Sequence, residues 1–292
     1  MKIGVSAYSF AQYVNAGKMT QFDCVAKAAE MGFEGMDFTE LKPFDGCTLD
    51  DQKRYAEEIR READRCGIEI VAYTVGANLY HESEEASEKE VVRLKGQLDV
   101  AAILGARVFR HDVCSWGQKD GRMRAFDKML VTIAQNAREV SEYGRTLGIV
   151  TCSENHGYVA QDSDRLEKLY AEVDYDNYAL LIDIGNFACA DEDSIKAVSR
   201  LANYAVHVHA KDFIKKPFGA QIEEGVKSFP TRGANRLVAC AIGDGDIPVA
   251  QCIAILKRAG YNGYVAIEFE GAEDCATAIA RGRDNLQKYI NA

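Results

Sequence analysis

Residues 126–154 read FDKMLVTIAQNAREVSEYGRTLGIVTCSE, and two periods meet in that stretch. Through its first two thirds Phe126, Leu130, Ile133, Ala137 and Val140 recur at helical spacing, while Lys128, Gln135 and Arg138 take the opposite face. The rhythm stops at Leu147-Gly148, and a β-rich apolar run, Ile149–Glu154, begins at once. Glycine just past a helix end supplies a left-handed cap, so the pair marks a helix stop and a strand start.

The same punctuation recurs in both directions. Further apolar runs are Ile3–Tyr8, Phe33–Phe38, Ile68–Thr74, Ala106–Arg110, Tyr178–Asp183, Ala205–Ala210 and Tyr264–Glu268, which makes eight in all. Met31-Gly32, Cys66-Gly67, Leu104-Gly105, Asp176-Asn177 and Asn262-Gly263 stand before five of them as helix stops. Between Asp50 and Cys66, Ala56, Ile59, Ala63 and Cys66 keep helical spacing. The runs are continuously apolar rather than alternating, as parallel strands covered on both faces should be. Eight β-then-α units without a linker predict an α/β fold, one single (β/α)8 TIM barrel domain over residues 1–292. A doubly wound open sheet permits the same alternation, but no Gly-x-Gly-x-x-Gly follows any run. Phe213–Asp246 reads as a long loop at the catalytic mouth.

Composition narrows the class. With 45 acidic against 35 basic residues the formal charge is −10, which argues against a nucleic-acid partner. No apolar run approaches the ~20 residues that span a bilayer, and MKIGVSAYSF lacks the pattern of a secretory leader. Nine cysteines without a Cys-x-x-Cys pair read as reduced thiols. The expectation is a cytoplasmic protein that meets neither nucleic acid nor membrane.

In such a barrel, ionisable residues at the C-terminal ends of strands are the candidates for chemistry. Four consecutive runs end in metal-type ligands: Glu154 in TCSENH; Asp183 in LLIDIGN; His207 and His209, with Asp212 beyond, in HVHAKD; Glu268 and Glu270 in AIEFEG. Three carboxylates and an imidazole suit Mn²⁺, Co²⁺ or Mg²⁺ better than a thiolate-bound zinc. Cys152 is a packing residue on this reading, and Asp112 a cap. His111 either contacts substrate or closes its strand.

At these residues the chain resembles the xylose isomerase-like barrel superfamily of sugar isomerases and epimerases. The resemblance rests on Glu154-Asn155-His156, on Asp183 to Asn186 (Asp-x-Gly-Asn), on His207 to Asp212 (His-x-His-x-Lys-Asp), and on the tail IGDGDIP, KRAGYNGY and AIEFEG. It implies that Glu154, Asp183, His209 and Glu268 hold one divalent metal ion, Mn²⁺ first, with Co²⁺, Mg²⁺ or Zn²⁺ as alternatives. It also implies that Glu154 and Glu268 are the acid/base pair. Ketose 3-epimerases of this group have Glu, His and Arg where this chain has Ala160, Asn186 and Lys215. Those positions contact substrate, so the metal site carries over better than the ketohexose specificity. Asn186, Lys215, Lys211, His111, Glu270 and Trp116 are the candidate substrate contacts, with a salt bridge across the mouth the alternative for Lys211 and a plain loop role for Glu270 and Trp116; Tyr8 and Phe10 end strand one as a candidate pocket floor.

The resulting expectation is a sugar isomerase or epimerase acting on a ketose or keto-sugar through a metal-stabilised ene-diolate. The alternative is a metal-dependent lyase that cleaves 3-keto C-glycosides and assembles with a small second subunit. The third is a sugar-binding barrel without catalysis. The partner in each case is a small sugar, and a homo-oligomer is expected.

Overall fold

The computed structural model describes residues 1–114 and 125–292. In chain order the first half carries β1 (Lys2–Ser6), α1 (Ala11–Asn15), α2 (Asp23–Glu30), β2 (Gly35–Thr39), α3 (Leu49–Cys66), β3 (Glu69–Val75), α4 (Glu84–Leu104) and β4 (Val108–His111). There follow α5 (Phe126–Thr146), β5 (Val150–Glu154), α6 (Ser163–Val173), β6 (Tyr178–Asp183), α7 (Ser194–Leu201) and β7 (Ala205–Ala210). The chain closes with β8 (Asp212–Lys216), β9 (Phe229–Pro230), β10 (Arg236–Cys240), α8 (Val249–Arg258), β11 (Tyr264–Ile267) and α9 (Cys275–Asn291). Strands pair in the order β1-β11-β7-β6-β5-β4-β3-β2 and β2 returns to β1, so the sheet is a closed (β/α)8 barrel of eight parallel strands.

All eight expected runs are barrel strands. Gly32, Gly67, Gly105 and Gly148 adopt positive φ, as helix caps require. Two boundaries differ: the left-handed residues are Asp174, three before Asn177, and Gly260, three before Gly263. In both places the left-handed residue falls close behind the helix end, and a short turn or bend then leads into the strand. The end of the first run is a 3₁₀ turn, Ala7–Phe10, rather than strand. Ser6 accepts the Tyr8 amide there and bends the chain out of the barrel wall.

Side chains alternate along each strand, and the alternation builds the site. Ala72, Val108, Cys152 and Leu181 form a small apolar cluster drawn only from strands, which plugs the barrel interior. Cys152 is therefore packing, as expected. Their neighbours Tyr73, Phe109 and Ile182 point the other way, into the large core shared with the helices. Two residues beyond each plug residue, the inward positions are Thr74, Arg110, Glu154 and Asp183. An apolar plug thus carries a polar layer at the C-terminal rim.

The segment Phe213–Asp246 is not the loop expected from its glycines. Among the described residues β8, β10 and β9 form a three-stranded antiparallel sheet beside the barrel mouth. Its short strands and many turns hide the alternation that a longer hairpin would display. Arg232 ties this sheet to the rim by donating to the Tyr158 carbonyl at 2.7 Å and to Asp162. No described helix is long and apolar enough to cross a membrane.

Candidate metal centre and active site

The ends of β5, β6, β7 and β11 bring Glu154, Asp183, His209 and Glu268 together, with one ligand atom from each inside a 4.8 Å circle. His209 Nδ1 lies 3.7 Å from Glu154 Oε1 and 3.5 Å from Glu268 Oε1. All four side chains are buried. His209 Nδ1 and Asp183 Oδ2 have no hydrogen-bond partner, although both are fully enclosed. Buried polar atoms are almost always satisfied, so two orphans facing one point mark where a cation fits. The donor set of three carboxylates and one imidazole has the chemistry for a divalent ion.

Each ligand is held from behind. Asp183 Oδ1 accepts the amides of Gly185 and Asn186 at 2.8 and 2.9 Å, leaving Oδ2 without a hydrogen bond. Arg110 grips Glu154 Oε2, while Asn186 Nδ2 donates to Oε1 at 3.1 Å. Lys211 Nζ reaches Glu268 Oε2 at 2.8 Å, Glu270 at 3.2 Å and Asp183 at 3.5 Å. His209 Nε2 is bonded to Asp37 Oδ2 at 3.1 Å.

The electrostatics follow. Burial alone would raise the Glu154 pKa, but the Arg110 charge outweighs it and holds the carboxyl well below its ordinary range. Asp183 goes the other way: burial and the neighbouring Glu154 and Glu268 charges overcome Lys211 and push it up to about 6. Burial would depress the His209 pKa, yet Glu268, Asp37 and Glu154 hold it well above the usual value. The pocket calls for positive charge.

A cavity of 990 Å³ opens above the cluster and reaches Tyr8, Arg110, His156, Lys211, Phe229, Glu268 and Glu270. The expected substrate contacts divide accordingly. Asn186, Lys211 and Glu270 line it. Tyr8 also lines it and donates to Glu270 at 3.0 Å, whereas Phe10 is sealed in the core. Lys215 has an exposed side chain on β8 and lies outside the cavity wall, farther along the strand than Phe213, which lines it. His111 does not line the cavity either. It is the outward neighbour of Arg110, fully buried, with Nδ1 on the Asp112 carbonyl at 3.0 Å. Trp116 lies outside the described residues.

Among the described residues Asp112 caps no helix: it pairs with Arg110 at 3.1 Å and with His156 Nδ1 at 2.9 Å. Burial would lower the His156 pKa, but the Asp112 charge and hydrogen bond raise it. Arg110, Asp37 and His156 were absent from the expected site. Arg110 was legible in principle, since it stands two past inward Val108; Asp37, an acid between Met36 and Phe38 in an apolar run, carried the same kind of signal.

A family model described as "Xylose isomerase-like TIM barrel" matches residues 25–289. The chain is 23% identical over 282 residues to an inosose dehydratase of Clostridium perfringens (strain 13 / Type A), covering 92% of this chain and 90% of that one. A D-psicose 3-epimerase of Clostridium cellulolyticum H10, solved with D-tagatose, superposes with a TM-score of 0.76 at 15% identity over 99% of each chain. The IOLI protein, solved with a binding zinc atom, superposes with a TM-score of 0.75 at 14% identity over 100% of this chain and 98% of that one.

Proposed function

We propose, from the premise that this chain belongs to the xylose isomerase-like TIM barrel family, that it is a divalent-metal lyase that removes water from a ketopolyol or keto-sugar. The observation that carries this reading is the unequal state of the two glutamates. Both oxygens of Glu154 are engaged, by Arg110 and Asn186, which fits a fixed ligand and a poor proton carrier. Glu268 faces the cavity beside Lys211 and is the better base.

A divalent cation held by Glu154, Asp183, His209 and Glu268 would polarise the ketone and acidify the neighbouring C–H; the donor set favours Mn²⁺, with zinc as the comparison. Glu268 takes the proton from the carbon next to the ketone. The hydroxyl on the following carbon leaves with a proton from His156, which Asp112 holds toward the cavity. Water departs, a carbon–carbon double bond conjugated with the ketone remains, and the cycle closes when Glu268 gives its proton to solvent and His156 takes one back. The curated relative's name supports this class: inosose is a ketopolyol and its enzyme a dehydratase. Loss of an aglycone from a 3-keto glycoside is the same elimination with a larger leaving group, for which 990 Å³ leaves room.

Epimerisation is the second reading. Glu154 and Glu268 both approach His209 Nδ1 within 3.7 Å and so flank one point, as a two-carboxylate proton exchange needs. Incubation with inosose and a panel of ketoses in D₂O separates the two. Loss of one water with a new enone absorbance supports elimination; deuterium uptake at unchanged composition transfers the assignment to epimerisation. Activity that survives chelation in metal-free protein overturns both.

A further inference from the structure

Asp37 stands on β2, at the far side of the barrel axis from Asp183, beneath the four-residue cluster, and does not line the cavity above it. It is completely buried, and a lone buried carboxylate is costly unless it has partners. Its partners are two imidazoles on one strand. His207 Nε2 lies 2.7 Å and His209 Nε2 3.1 Å from the same oxygen, Oδ2, while Oδ1 has no partner. The two rings stand edge to face at 84°, with centroids 5.4 Å apart. Two histidines separated by one residue share a strand face, so a single carboxylate from the opposing wall can bridge both.

We infer that Asp37 is a positioning residue for the metal centre: it holds the proton of His209 on Nε2, so that Nδ1 is presented to the cation, and His207 is the second anchor that fixes Asp37 in place. The inference rests on the metal-centre part of the proposed function. The geometry restricts the alternatives. An imidazole that donates through Nε2 offers only Nδ1 as a lone pair, and His209 Nδ1 is the orphaned atom facing Glu154 and Glu268. A ligating histidine whose other nitrogen donates to a carboxylate is also a more basic ligand, and loss of such a partner lowers metal affinity about 10–100-fold. His207 stands outside the four-residue cluster; with Asp37 and His209 it forms a second buried group close enough to hold an ion, an arrangement in which His209 would ligate through Nε2 rather than Nδ1.

The test is cation affinity, measured by competition with a chromophoric chelator on the full chain with Mn²⁺ and Zn²⁺, together with thermal unfolding of the metal-free proteins. Asp37→Asn is expected to bind about 10–100-fold more weakly than wild type, and His207→Gln to weaken binding by a smaller factor. Unfolding temperature alone would report a merely structural role. If Asp37→Asn unfolds at a lower temperature yet binds with wild-type affinity, the inference is overturned. Should Asp37→Asn fail to fold, the wild type still decides. The chain has five histidines, so ¹⁵N-histidine spectra of the zinc-loaded protein can assign the ligating nitrogen. Nδ1 ligation with a protonated Nε2 on His209 supports the inference, and Nε2 ligation overturns it. Wild-type protein that takes up neither ion overturns the metal reading itself and the inference with it; uptake that is equal in wild type and Asp37→Asn overturns the inference alone.

Discussion

Arg110 and Glu154, on adjacent strands β4 and β5, form an enclosed ion pair under the cavity, with Arg110 also paired to Asp112 on its other side. The pair binds the wall of the barrel to the ligand set. It also ties the charge state of one ligand to a residue that holds no metal.

Removing the cation from that pair leaves two carboxylates buried with reduced compensation. Arg110→Met should lower the stability of the metal-free protein by about 3–5 kcal/mol, the range for breaking a buried pair from one side. Urea unfolding monitored by circular dichroism measures it. A loss below about 1 kcal/mol would mean that solvent reaches Glu154 after all.

The titration of Asp183 gives a pH dependence with a definite sign. Its folded pKa of about 6 is raised above the ordinary 3.8. A raised carboxyl contributes stability below its unfolded pKa, and that contribution is lost as pH rises through the folded value. Cation binding needs Asp183 ionised and a proton released from His209, whose pKa is also held high, so the rise in Tm on adding Mn²⁺ should be small near pH 5 and should grow as pH rises through about 6 and beyond. A metal-induced shift that is flat across this window would remove Asp183 from the ligand set.

Glu154→Gln and Glu268→Gln should fail differently. The first is expected to weaken metal uptake and activity together. The second should cut turnover about 10²–10⁴-fold, the usual contribution of a general base. Metal uptake by Glu268→Gln should fall less than its turnover does. Equilibrium dialysis beside single-turnover assays reads both, and equal losses in the two variants would return the acid/base role to the pair.

Asp212 has a structural assignment. Its carboxylate accepts the amides of Phe213, Gly243, Gly245 and Ile247 at 2.8, 2.8, 3.1 and 3.1 Å, and so shapes the turn before α8. Asp212→Ala should cost about 2–4 kcal/mol, since several buried amides lose their acceptor at once. Hydrogen exchange should quicken at Gly243–Ile247 while the barrel strands keep their protection. Unchanged exchange there would mean that the turn holds without the carboxylate.

How much of this was legible in the chain follows from the range of each interaction. The eight strands were visible because apolar runs and glycine caps are local, each decided by a handful of neighbours. Glu154, Asp183, His209 and Glu268 were visible because each is an ionisable residue at or beside the C-terminal end of a barrel strand, the rim where such folds gather polar groups. His111 was misplaced by one residue in phase: Arg110 is the inward member of that pair, and a single step along a strand exchanges the cavity for the core. Lys215 failed for a different reason, since β8 has left the barrel and carries the residue beyond the cavity.

Local chemistry therefore determined the architecture and the four residues that cluster at its rim, because periodicity, capping and strand-end position are properties of short segments. Only the closed barrel decided which groups support them. Asp37 meets His207 and His209 from 170 and 172 residues away, and Asp112 meets His156 from 44. Contacts of that separation exist only once eight strands have curved into one cylinder and set opposite walls face to face.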